Sequence, residues 1–87
     1  MDLTQAVGST AALLTTLAFV PQVVKTLKTR HTRDISLGMW AMFSAGVALW
    51  LAYGLLLMAW PIILANAATL VLALIVLAVK LANMGKE

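Results

Sequence analysis

The chain has 87 residues, 63% of them hydrophobic and 10% charged, with six Lys/Arg against three Asp/Glu and no cysteine; its mean hydropathy is +1.02. A soluble fold of this length leaves too much surface in water to hide so much apolar area, so the composition excludes an ordinary soluble domain and marks an integral membrane protein. It also excludes a disulfide-stapled fold, and the few cations form no long basic face for a nucleic acid.

Residues 3–24 carry no charge, long enough for one spanning helix at about 4–26. A cleaved signal peptide fits this run poorly, because the opening MDLTQ has no Lys or Arg. Pro21-Gln22 sits near the end of the run. Pro21 cannot donate to the carbonyl of Leu17 and clashes with it. In lipid that carbonyl needs another partner, so the first helix has a weak point here. Gln22 stands ready to repair it with its own amide or to bond a neighbouring helix. A broken helix beside a cavity is a device of transporters; a bland kink is the competing reading, since proline is not rare in membrane helices. A basic loop follows, with Lys25, Lys28, Arg30 and Arg33 in or beside it. His31 in that loop reads as a solvated residue rather than a pH switch.

Residues 35–79 are again uncharged. A single helix of that length would far exceed a bilayer core of roughly 30 Å, so the segment folds back once. The turn belongs at Trp60-Pro61, because proline fits the first turn of a helix. The spans are then about 36–58 and 61–81. With three spans, the basic loop and the C-terminus, with Lys80 and Lys86, share one side. Lys/Arg-rich short loops stay in the cytoplasm, which puts the N-terminus outside and the C-terminus inside. Trp60 then belongs to the outer interface and Trp40 to the inner one.

Small residues recur four apart in every span: Gly8, Ala12 and Thr16; Ser44, Ala48 and Ala52; Ala65, Thr69 and Ala73. Such rows let helix backbones approach closely in lipid, although alanine-rich spans produce them by chance as well. In the second span Met39, Phe43, Gly46, Trp50, Tyr53, Gly54 and Leu57 share one face. The two glycines leave open space beside the Trp50 indole, as a gated cavity would; plain packing is the alternative. Asn66 is the one side-chain amide of the third span. A polar group at depth faces the bundle interior or a cavity. Counted from the outer turn, Trp50 and Asn66 both lie roughly 8–12 Å deep, so they meet at one level. A stacking ring and an amide suit a neutral polyhydroxylated ligand; an amide that only joins helices is the competing reading.

No ionisable group lies at depth, which argues against a proton- or ion-coupled carrier. No nucleophile–base pair, metal cluster or phosphate loop is present, so neither an enzyme nor a cofactor is expected. The rivals to a carrier are a small holin-like pore-forming protein, an accessory subunit packed on a larger partner, and an amino-acid carrier.

Pro-Gln late in the first of three helices, a short basic loop and "DISLGMW" opening the second helix together resemble the PQ-loop superfamily. The chain size, the single three-helix unit over 1–87 and the Trp50/Asn66 pair narrow the resemblance to the bacterial SemiSWEET sugar transporters. The resemblance implies an all-α parallel homodimer in the bacterial inner membrane. It implies a mono- or disaccharide path along the dimer axis, and facilitated diffusion by alternating access. Trp50 matches the tryptophan that stacks on the sugar, and Asn66 the asparagine that bonds its hydroxyls. Pro21-Gln22 matches the hinge, Tyr53 the outer gate, and Met39 and Phe43 the inner gate. The chain departs from some relatives beyond Tyr53, where charged gate positions are Leu57 and Ala59. Closure there has to come from apolar packing.

Overall fold

The computed structural model describes residues 2–86, and these form three helices: α1 Leu3–Thr29, α2 Leu37–Leu57 and α3 Trp60–Ala82. All three are long and apolar enough to cross a membrane. Their limits differ from the expected spans by one to three residues, and local chemistry sets each one. Asp2 starts α1 with a capping box: its carboxylate accepts from the Gln5 N–H at 2.7 Å, and the Gln5 side chain accepts from the Asp2 N–H. Arg30 ends α1 in the left-handed region, with φ 57° and its N–H on the Thr26 carbonyl. Ser36 caps α2 by accepting from the Met39 N–H. Pro61 lies in the first turn of α3, where its missing N–H costs nothing.

Backbone contact joins α2 to α3 and α1 to α3, and among the described residues none joins α1 to α2. The spatial order is therefore α1–α3–α2, with the last helix in the middle. Val23 of α1, Trp40 of α2, and Ala73 and Val76 of α3 are buried together. Phe19 stacks on Phe43 at 5.4 Å and meets Trp40 edge-on at 5.9 Å. These rings connect α1 to α2 at the end that carries the α1–α2 loop. Trp40 is only 8% exposed, so it turns into the core instead of to the membrane interface expected for it. The nearby Phe19 and Phe43 rings give it an aromatic packing site that the interface cannot.

The small-residue rows are used unequally. Thr16 and Thr69 bring their hydroxyls to 3.4 Å between α1 and α3. Ser44 is buried, but Ala48 and Ala52 are exposed. A strict four-residue row drifts by about 40° per step around a helix and leaves the contact face. Alternating steps of three and four stay on it, and α2 accordingly buries Trp40, Ser44, Val47 and Gly54.

Both ends of α3 are fastened. At the α2–α3 turn, Met58 takes φ 55° and donates back to Gly54 and Leu55. A Cβ on Gly54 would stand 2.7 Å from Ile62 Cγ2 and 3.3 Å from the Ile63 nitrogen. The space expected beside Trp50 at this glycine is thus filled by α3; at Gly46 nothing lies within 4 Å. At the opposite end, Lys80 Nζ donates to the Thr32 carbonyl at 2.8 Å. Asn83 Nδ2 donates to the Arg30 carbonyl at 2.6 Å and to Thr32 Oγ1 at 3.1 Å. The α1–α2 loop is bound to the tail of α3 in this way.

Two outcomes follow. Gly54→Ala overpacks the turn against the stiff β-branched Ile62 and lowers stability by about 1–3 kcal/mol, read as a drop in the unfolding midpoint in detergent. An unchanged midpoint would mean that Ile62 yields freely. Asn83→Ala removes two hydrogen bonds of about 1 kcal/mol each. It should speed amide exchange in residues 30–34 while leaving the α2–α3 turn protected; equal acceleration at both ends would refute a local clamp.

Candidate functional site

The order α1–α3–α2 puts Trp50 and Asn66 on one groove, a cavity of about 390 Å³. Gly8, Ala12 and Thr15 line it from α1, and Asn66 and Thr69 from α3. Pro61 and Ile62 stand toward the α2–α3 turn, and Phe19 and Phe43 toward the α1–α2 loop. The equal depths counted from the turn therefore do bring the ring and the amide together.

Trp50 is 56% exposed, so much of its indole is uncovered. Tyr53 meets it edge-on, with ring centroids 5.5 Å apart and planes at 88°. Such a pair restricts the tilt of the indole. Asn66 is half-buried, and its Nδ2 donates to the Ile62 carbonyl of its own helix at 2.9 Å. This bond orients the amide and leaves the carbonyl oxygen and a second N–H for another partner. Asn66 therefore does not act here as a bridge between helices.

Of the expected gate residues, Phe43 lines the groove and stacks on Phe19. Met39, Tyr53 and Leu57 are exposed and outside the lining. Pro21 lies inside an unbroken α1. Gln22 does not reach back toward Leu17 or across to another helix: its Nε2 donates to Thr26 Oγ1 at 3.1 Å, one turn further along α1. Thr26 is only 1% exposed, so the glutamine is tied to a fixed point beyond the proline.

Sequence reasoning missed Thr15, Thr69 and Phe19 as groove residues. Gly8, Ala12, Thr15 and Phe19 recur at steps of four, three and four, and that signal marks one face of α1. Thr15 Oγ1 donates to the Ala11 carbonyl at 3.0 Å, so its lone pairs face outward from the helix. The groove holds hydroxyls, one amide, an indole and aromatic rings, and no ionisable side chain lines it. It can bind a neutral polar molecule by stacking and hydrogen bonds. It offers no nucleophile and no proton donor strong enough for bond cleavage.

A family model described as PQ loop repeat matches residues 3–63. The sugar transporter SemiSWEET of Leptospira biflexa is 51% identical over 75 residues, covering 86% of this chain and 88% of that one. The protein of the same name from Bradyrhizobium diazoefficiens is 52% identical over 75 residues, covering 86% and 87%. Among solved structures, a SemiSWEET in the inward-open conformation matches with a TM-score of 0.90 at 44% identity, covering 99% of this chain and 92% of the other. A bacterial homologue of SWEET transporters matches with a TM-score of 0.85 at 38% identity, covering 93% and 98%. Agreement in sequence over nearly the full length of these relatives, and in fold over the whole chain, shows that this protein belongs to the SemiSWEET branch of the PQ-loop family.

Proposed function

We propose that this protein is a sugar facilitator, a homodimer that passes a mono- or disaccharide across the bacterial inner membrane by alternating access. The observation that carries the reading is the shared groove of Trp50 and Asn66, an exposed indole beside an oriented amide with no charge in between. Relatives named sugar transporters at 51% and 52% identity support it. Their names are those of carriers, not of enzymes.

A groove that holds an amide is costly against hydrocarbon. A second copy in the same orientation covers it and sets two Trp50 rings and two Asn66 amides across an axis along the membrane normal. The sugar sits between the rings, and the amides bond its hydroxyls. The N-terminus is outside and the loop end is cytoplasmic, because the cations gather there. Bending at Pro21 closes one end and opens the other. Tyr53 and Leu57 form the outer closure by apolar packing, and Met39 and Phe43 the inner one. With no titratable group at depth, flux follows the sugar gradient alone.

The test is uptake of labelled glucose and sucrose into proteoliposomes. Saturable uptake that Trp50→Ala abolishes, without ion leak, is expected; ion leak without sugar flux would instead mark a pore. Asn66→Ala should weaken sugar affinity about fivefold or more, since each lost hydrogen bond is worth about 1 kcal/mol. Pro21→Ala should slow transport while leaving binding largely intact, and an equal loss of both would remove the hinge assignment.

A further inference from the structure

A second cavity, of about 890 Å³, opens at the other end of the molecule, where α1 ends, the loop turns back and the tail leaves α3. Lys25, Arg30, Arg33 and Lys86 line it together with His31, and Asp34 is the one carboxylate in the lining. A bias of cations toward one membrane face accounts for their number at this end. It does not account for their convergence. Lys25 lies on the same face of α1 as Gln22, Thr26 and Thr29, all of which line the cavity. Lys28, three residues along the same helix, does not line it.

The stretch of loop that carries two of these cations is also held in place. Asn83 bonds the Arg30 carbonyl, and Lys80 bonds the Thr32 carbonyl next to Arg33. The backbone that carries both arginines is thus pinned to α3. Trp40 and Ile35 supply an apolar wall. Four cations around one carboxylate, two of them carried on a pinned backbone, leave a concave, strongly positive site. Such a site favours a doubly charged anion over a singly charged one, and arginine forks match phosphate oxygens.

We propose that this cavity binds a phosphate monoester group. Two sources carry that chemistry: a phosphorylated solute, and the headgroup of an acidic lipid. The binding does not depend on the sugar reading. Gln22 lines the cavity one residue after Pro21, so a bound anion would join both sides of the loop beside the hinge.

The test uses the full chain in neutral detergent at fixed ionic strength. One arm titrates inorganic phosphate by calorimetry. The other measures retention of phosphatidic acid over phosphatidylcholine in mixed micelles. Binding in either arm, lowered about tenfold by Lys25→Gln or Arg33→Gln and unchanged by Lys28→Gln, supports the proposal and names the source. An equal loss with Lys28→Gln would reveal a diffuse charge effect and overturn it, as would silence in both arms. The single exposed substitutions leave the pinned backbone intact, and an unchanged unfolding midpoint verifies this. Neither arm involves sugar flux, so failure here and failure of the transport reading are separate results.

Discussion

The close approach of α2 and α3 at Gly54 sets the geometry of everything else. Ile62 occupies the volume that a side chain would take there, so the two helices run together from their turn. Lipid gives no hydrophobic push between helices, and contacts of this kind must do the holding. Once α3 lies along α2, its opposite flank is the only seat left for α1, and the Thr16–Thr69 contact occupies that seat. The groove of Trp50 and Asn66 is the gap that remains between the three.

Polarity is divided sharply along the molecule. The groove holds uncharged polar groups, and two of them are partly satisfied by their own helices, Asn66 on Ile62 and Thr15 on Ala11. The cations collect at the loop end, where water can solvate them. A neutral interior and a basic mouth are two chemical environments that meet within one turn of α1, where Phe19 lines the first and Gln22 the second. Pro21 and Gln22 lie between them, and Gln22 belongs to the polar end through its bond to buried Thr26.

The three spans, their turn and the equal depth of Trp50 and Asn66 were legible in the sequence because charge runs, one proline and a constant rise per residue determine them. The middle position of α3 was not. The pattern of a single chain does not say which face of an apolar helix meets which neighbour, since lipid-facing and helix-facing side chains are alike in polarity. The same uniformity hid the true use of Gly54 and the burial of Trp40. Of the small-residue row in α2, Ser44 is buried within this chain, whereas Ala48 and Ala52 are exposed, because a fixed four-residue step drifts around the helix. The Lys80 and Asn83 bonds were illegible for another reason. They join positions about fifty residues apart through backbone carbonyls, and carbonyls have no signature in a sequence.

The late arrival of the central helix bears on how the protein is made. The chain grows from its N-terminus, so α3 is the last of the three helices to be completed. Until then α1 and α2 are joined by their loop and by the cluster of Phe19, Trp40 and Phe43 at one end, with no backbone contact between the two helices. The first two helices must therefore wait in the bilayer as a splayed, loosely tethered pair. Insertion of α3 between them is the committing event of biogenesis. A chain interrupted after residue 59 would leave two helices without the partner that both of them contact.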